Sequence, residues 1–244
     1  MTARGHLAFE RAGAATAVRT AYAESPLRFL TPRNHGSAAW AYTSTLGGGL
    51  VDGDAIELRV EVGKGARALV TTQGPTRVFR SSGCSGLRPP PVAGGTPAPP
   101  AGCRCETTAR VEEDGALLLV PAPAACFGGA RFEQRTGVDL AGGASLLLWD
   151  VLSAGRDRWD FVRCSSAITI RREGKPLLDE AWLLDAAHGS LRERFGRFHA
   201  MGTLLLAGPL FDGAALREAV DAQAPRAGAP LLQSASPLGA DATV

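Results

Sequence analysis

The sequence predicts a mainly β protein of stacked, irregular antiparallel or mixed sheets with one or two short helices. Three observations predict it. Apolar side chains fall on alternate residues in one segment after another, most cleanly at Ile56, Leu58, Val60 and Val62, with Glu57, Arg59 and Glu61 between them. That is the period of a strand with one buried and one wet face. Glycine and proline clusters break these segments at the intervals that turns require. Finally, a short phrase recurs as Gly65-Ala66-Arg67-Ala68-Leu69-Val70, Gly115-Ala116-Leu117-Leu118-Leu119-Val120 and Gly143-Ala144-Ser145-Leu146-Leu147-Leu148. Each copy follows a polar turn and opens an apolar run too short for a helix.

The elements follow in order. Leu7 and Phe9 alternate before a turn at Ala12-Gly13, and Thr16, Val18 and Thr20 alternate after it. The 56–62 strand ends at Gly63-Lys64-Gly65, read as a hairpin. Cys103, Cys105, Thr107, Ala109 and Val111 share one face of a strand that turns at Asp114-Gly115. Further hairpins are expected at Ala141-Gly142-Gly143 and Glu173-Gly174-Lys175. The apolar runs 117–120 and 146–149 read as strands covered on both faces. The recurring phrase reads as one strand-turn-strand unit stacked several times, its unequal spacing favouring an irregular stack over a regular solenoid. Met201 to Leu206 reads as a strand. One segment is clearly helical: Asp212 caps it, Leu216, Ala219 and Val220 line it, and Pro225 stops it. Residues 1–244 are expected to form a single domain. Its one departure is a flexible, proline-rich insertion at 83–102, which has too little apolar bulk to order itself.

Composition narrows the function classes. The 26 basic and 24 acidic residues leave a net charge of +2 without long runs, which points to neither a nucleic-acid nor a membrane surface. No apolar run approaches the ~20 residues that span a bilayer. The N-terminus lacks a basic-then-apolar leader, and the five cysteines are an odd number; together they predict reduced thiols in a cytoplasmic protein.

No catalytic motif is legible. Gly63-Lys64-Gly65-Ala66-Arg67-Ala68 fits a dinucleotide fingerprint formally, but it joins two strands instead of opening a helix. There is no phosphate loop, zinc helix or nucleophile elbow, so the chain is expected not to be an enzyme. The histidines, His6, His35, His188 and His199, form no i, i+4 pair. Cys103 and Cys105, with Cys84 and Cys126, raise a soft-metal site against thiols without a role, and the spacing favours the latter. Asp52-Gly53-Asp54 is read as turn chemistry ahead of a polar point that passes a cation. Thr71, Thr72, Gln73, Thr76, Arg77 and Arg80 beside Val78 and Phe79 read as a protein-facing rim.

Several of these segments in order resemble the urease accessory UreD (UreH) family: Gly47-Gly48-Gly49-Leu50-Val51-Asp52-Gly53-Asp54, Thr71-Thr72-Gln73-Gly74-Pro75-Thr76-Arg77-Val78-Phe79, Pro121-x-Pro123 with Phe132-x-Gln134-Arg135-Thr136, and Trp149-Asp150-Val151-Leu152-Ser153-Ala154-Gly155-Arg156. Gly5-His6-Leu7 with Pro26-Leu27-Arg28 resembles the family's opening. The resemblance implies a non-enzymatic scaffold that binds urease apoprotein and UreF, and through UreF the GTPase UreG. It implies no tightly bound cofactor, with nickel in transit along a polar interior route. Asp52, Asp54, Thr72, Gln73, Arg77, Asp150 and Arg156 are the partner- or route-lining candidates; the resemblance names no nickel ligand. Three departures stand out. A loop and its glutamate are missing before Trp159-Asp160-Phe161. The long 83–102 insertion leans toward a eukaryotic-type member. The closing strand and helix expected after Ser234-Ala235-Ser236-Pro237 are absent. The alternative is a β-rich ligand-binding module, for instance for carbohydrate, displaying Trp40, Tyr42, Trp159 and Trp182.

Overall fold

The computed structural model describes residues 1–33, 36–81, 102–155, 158–223, 225–239 and 242–244. Arg156, and the insertion at 83–102 apart from Gly102, lie outside them. Two sheets face each other. The first contains β1 (Thr2–Ala12), β2 (Ala15–Ala23), β5 (Ala55–Val62), β8 (Cys103–Val111), β11 (Arg131–Leu140), β13 (Arg163–Arg172) and β14 (Lys175–Asp185), in the spatial order β14-β13-β11-β8-β5-β1-β2. The second contains β3 (Leu27–Leu30), β4 (Ala39–Thr45), β6 (Arg67–Thr72), β9 (Ala116–Val120), β12 (Ser145–Ser153), β15 (Ala200–Ala207) and β16 (Ala242–Thr243), ordered β16-β15-β12-β9-β6-β4-β3. Two short strands, β7 (Thr76–Val78) and β10 (Ala124–Cys126), pair in parallel with each other, and β10 also pairs with β12. They close one side of the stack.

The mainly β class with mixed sheets is what the alternation predicts, but the connectivity differs from the hairpins expected. Only the turns at Ala12-Gly13 and Glu173-Gly174 join antiparallel neighbours, β1 to β2 and β13 to β14. The turns at Gly63-Lys64-Gly65, Asp114-Gly115 and Ala141-Gly142-Gly143 carry the chain from the first sheet to the second. Each first-sheet strand therefore pairs in parallel with the one a full coil later: β1 with β5, β5 with β8, β8 with β11, and β11 with β13. Strands β4, β6, β9 and β12 do the same opposite. Period-2 alternation reports which face is buried, not which strand is the neighbour. A two-residue glycine turn looks the same whether it reverses a strand within a sheet or turns a corner between sheets.

The recurring Gly-Ala phrase opens β6, β9 and β12, and the register places Ala68, Leu117 and Leu146 side by side. Its copies start 50 and 28 residues apart. Residues 82–101 lie within the longer interval and account for most of the excess. The stacked unit is thus more regular than its spacing suggested.

Inward-facing residues form two apolar clusters. One gathers Leu7, Phe9, Val60, Val62, Leu117, Leu146, Ile168 and Ile170 near the corner turns, and the other gathers Leu50, Val78, Phe132, Leu152, Trp159 and Phe161 at the opposite end. The outer faces differ. On the first sheet Arg4 and Arg104 both pair with Glu57, at 3.4 and 3.5 Å, and Glu61 accepts from His6 at 2.8 Å and also pairs with Arg59. The second sheet's outer row is Trp40, Leu69, Leu118, Leu147 and Leu206, neighbours in register. Runs 117–120 and 146–149 are accordingly covered on one face only, with Leu118 and Leu147 half-buried and Trp149 39% exposed.

Two helices complete the fold. Helix α2 (Gly213–Asp221) starts at Asp212, whose Oδ1 accepts from Ala215 N at 2.9 Å, and it ends before Pro225. Helix α1 (Leu191–Phe195) was not legible from apolar periodicity. Its signal is the capping box Ser190-Leu191-Arg192-Glu193, in which Ser190 Oγ accepts from Glu193 N at 3.2 Å. Phe195 stacks on Trp159 at 3.9 Å between centroids and fixes the helix against the second cluster.

Val60 is fully buried and Glu61 half-exposed. Val60→Ala is expected to cost about 1–3 kcal/mol and Glu61→Ala well under ~1. Equal losses of melting temperature would place the wrong face inside. The Glu61 carboxyl is held below its ordinary 4.5, chiefly by the His6 hydrogen bond and then by Arg59, against an opposing desolvation. A carboxylate lowered by folding contributes stability above its unfolded value and loses it as pH falls through the folded one. The melting-temperature gap between the native chain and Glu61→Gln should therefore narrow below pH 4.5; a gap that stays constant to lower pH would refute the pairing.

Candidate functional site

Between the two apolar clusters the inward positions turn polar in both sheets at once. In the second sheet Thr43 pairs with Thr72, and Asp150 with Thr203. In the first sheet Cys105, Gln134 and Ser166 form one rung, and Thr107 and Thr136 the next. On β11 the inward series is Phe132, Gln134, Thr136, Val138, Leu140, so two polar residues interrupt an otherwise apolar face. On β12 the series Leu146, Leu148, Asp150, Leu152 is interrupted once.

These residues surround a cavity of about 460 Å³ between the sheets, within the range of ligand pockets. Ile56, Leu58, Val70, Leu119 and Leu148 supply its apolar wall, and Thr43, Thr72, Thr107, Gln134, Thr136 and Asp150 its polar wall. Its mouth is formed by exposed Gly48, Gln73, Gly74, Pro75 and Arg77. Asp150 brings an inward-facing carboxylate to its lining. Its Oδ1 accepts from Gln134 Nε2 at 2.7 Å and its Oδ2 from Ser166 Oγ at 3.0 Å. Both donors come from the opposite sheet, so the carboxylate straps the two layers together while satisfying the buried Ser166. Further along, Thr203 Oγ1 donates to Glu180 Oε1 at 3.4 Å, again between the sheets. Thr71 Oγ1 donates to Val120 O at 2.6 Å, and Thr72 Oγ1 accepts from Ala122 N at 2.9 Å; these bonds tie the threonine pair to the next coil.

The glycine run shapes the mouth. Gly47 and Gly48 have φ of +96° and +78°, the left-handed region that favours glycine. Gly49 is required for space: a Cβ there would lie 2.5 Å from the Phe79 ring and 2.7 Å from Arg77 O. This close approach lets Leu50 bridge to Val78 and seats the loop against β7.

Of the sequence candidates, the cavity unites Thr72, Gln73, Arg77 and Asp150. Asp52 and Asp54 do not line it. Asp54 Oδ2 accepts from Val51 N at 3.0 Å and its Oδ1 lies 3.5 Å from the Met1 amino group, which is the turn chemistry the residues alone favoured. Arg156 falls outside the described residues. Thr43, Gln134 and Thr136, which line the cavity, and Ser166, which donates to Asp150, were missed. Their signal was polar side chains at inward parity in an alternating strand. For the carbohydrate alternative, Trp40 is 39% exposed but Trp159 is only 3% exposed, and its Nε1 donates to Phe198 O at 2.9 Å.

Two thiols of β8 are shifted away from the thiolate form. Burial pushes Cys103 up to about 12, helped by the charges of Asp52 and Asp54. Cys105, on the cavity wall, is pushed up to about 12 by desolvation and then by Cys103 and Asp54. Such groups stay protonated at neutral pH. Among the described residues, no group of three or more His, Cys, Asp or Glu side chains is placed to hold a metal ion. Also among them, no helix is long and apolar enough to cross a membrane.

The fold is a coiled stack of two sheets around a polar cavity. Known proteins share its sequence over most of the chain. The family model described as UreD urease accessory protein matches residues 1–241. A Urease accessory protein UreD of Sorangium cellulosum is 42% identical over 96% of this chain and 70% of its own length. That of Anaeromyxobacter sp. is 35% identical over 96% of this chain and 75% of its own. Urease accessory protein D of Oryza sativa subsp. indica is 30% identical over 85% of this chain and 65% of its own. The chain belongs to the UreD family of urease accessory proteins and is an accessory protein, not an enzyme. Its greater similarity to the first two than to the rice protein runs against the eukaryotic-type expectation drawn from the insertion.

Gly49→Ala is expected to lower stability by about 1–3 kcal/mol through the clash with β7, whereas a Cβ at Gly74 meets nothing within 4 Å. Thermal melts of Gly49→Ala and Gly74→Ala make the comparison; indistinguishable melts would mean that the loop is not seated as described.

Proposed function

We propose that this chain supports urease maturation by binding urease apoprotein and UreF, with UreG recruited through UreF, and by passing nickel through the cavity between its sheets. The observation that carries the reading is the polar belt across the core of a UreD-family chain. Buried polar side chains cost stability relative to apolar ones of the same shape. The fold nevertheless keeps a carboxylate, an amide and several hydroxyls at one level of both sheets.

The lining suits transit. Hydroxyl and amide oxygens are hard, neutral donors that exchange readily with water around a divalent cation, and the inward-facing Asp150 adds negative charge. With no set of three ligands among the described residues, nothing there holds the ion as a tetrahedral or octahedral site would. The ion keeps most of its water and moves by trading outer hydrogen bonds along the wall. Nickel is cargo in this reading, no cofactor is tightly bound, and the protein works in the cytoplasm where its partners are.

Asp150→Leu should leave a pull-down of the assembly with urease apoprotein and UreF intact while lowering the nickel content of urease several-fold. Asp54→Leu should leave both unchanged, because Asp54 lies in the turn and not on the wall. Normal nickel loading by an intact Asp150→Leu complex would remove the cavity from the route. Loss of loading with Asp54→Leu would move the route to the 52–54 turn.

A further inference from the structure

The outer faces of the two sheets carry opposite chemistries. On the first sheet outward arginines and glutamates pair with one another, as Arg4 and Arg104 do with Glu57. The seven strands of the second sheet contain three charged residues, Arg28, Arg67 and Asp150. Asp150 faces the cavity, so the outer face of these strands holds two arginines and no acid. Both arginines are exposed, and among the described residues neither has an ion-pair partner.

The rest of that face forms two adjacent rows across the strands. Trp40, Leu69, Leu118, Leu147 and Leu206 are one row in register. Two residues further along, Leu30, Tyr42, Thr71 and Val120 form the next, with the Trp149–Leu204 pair at the same level. Thr71, the polar member, donates its hydroxyl to Val120 O. Leu30 is 48% exposed and Trp40 and Trp149 39% each, so large apolar groups stand in water within rows that carry no charge. Arg67 borders the first row, two residues before Leu69, and Arg28, level with Ser44, borders the second.

We infer that this stripe is the docking surface for one amphipathic α-helix of a partner protein, with its apolar side on the two rows and acidic residues on its flanks. The dimensions match. Five strand spacings from β3 to β15, at about 4.8 Å each, make the stripe about 24 Å long, and a helix rising about 1.5 Å per residue crosses it in about 16 residues. The levels of the two arginines lie about 20 Å apart, three double-residue steps along the strands. A helix about 10–12 Å across fits between them with both flanks within reach of a guanidinium group.

Charge selects this occupant over the others. A second copy of the chain would bring an arginine-only face against itself, and a footprint of roughly 24 by 14 Å falls well short of the ~800 Å² per partner that stable dimers bury. The insertion at 83–102 has one arginine and no acidic residue, so it offers no complement either. A lipid surface takes up side chains that protrude, whereas the leucines of the first row are half-buried among their neighbours in the sheet. The stripe lies outside the second sheet and the cavity inside it, so docking does not depend on nickel passing between the sheets.

The test uses a helical peptide of about 18 residues built from Leu, Ala and Glu, with leucines at i, i+3, i+4 and i+7, and a twin carrying Lys for every Glu. Binding is followed by tryptophan emission, which should shift to the blue as Trp40 and Trp149 leave water. At low salt the Glu peptide should bind at least about 10-fold more tightly than its twin, and added salt should close the gap. Leu147→Glu should weaken the Glu peptide by at least about 10-fold. Arg28→Glu combined with Arg67→Glu should reverse the preference, a result that neither misfolding nor unspecific adhesion produces. No binding, equal binding of the two peptides, or a preference that the double arginine variant retains would overturn the inference. So would flotation with phosphatidylserine vesicles, or dimerisation in sedimentation, that Leu147→Glu abolishes, since either would give the stripe a different occupant.

Discussion

The in-register parallel stacking of successive coils is the constraint on which the rest depends. A parallel neighbour one coil later places equivalent positions side by side, so one residue choice is repeated across the width of the sheet. Ile56, Cys105, Gln134 and Ser166 are neighbours for that reason, as are Ala68, Leu117 and Leu146. Apolar choices made this way build the two clusters. Polar choices at one level build a belt between them. No strand carries more than a few polar inward residues, and the feature exists only through their alignment.

The belt is tolerated because its members satisfy one another. Asp150 accepts from Gln134 and Ser166, and Thr72 accepts from Ala122 N. A buried carboxylate without donors would be far more costly than these paired groups. The bonds also hold the layers at a spacing that apolar packing alone would close. The cavity therefore persists because polar straps and threonine hydroxyls occupy the level where leucines would otherwise interdigitate.

Much of the inward and outward parity was legible in the sequence, because alternation is local. Val60 inside and Glu61 outside, the strand at 200–207 and the cap at Asp212 all follow from neighbours within a few residues. Sheet identity was not legible. Gly63-Lys64-Gly65 and Glu173-Gly174-Lys175 have similar chemistry, yet one turns a corner and the other reverses a strand, a difference set by what lies 30 or so residues away. Of the two candidate groups, the 71–77 segment reached the cavity mouth and wall because it runs along one strand end. The 52–54 carboxylates stayed in their turn.

The parallel stack also has to end, and its ends explain the reach of the belt. Antiparallel strands close all four edges of the coil, β2 and β14 on the first sheet and β3 and β15 on the second. An antiparallel partner preserves facing parity, so inward positions continue into the caps: Thr203 on β15 extends the row of Asp150, and Glu180 on β14 continues that of Thr136 and Ile168. Thr203 and Glu180 then meet across the gap. Had the coil closed with strands of opposite parity, the last polar residues would face solvent on the outside and the belt would stop short. As built, the row of polar inward positions runs from the glycine-shaped mouth beside β4 to Thr203 and Glu180 at the opposite edge of the sandwich.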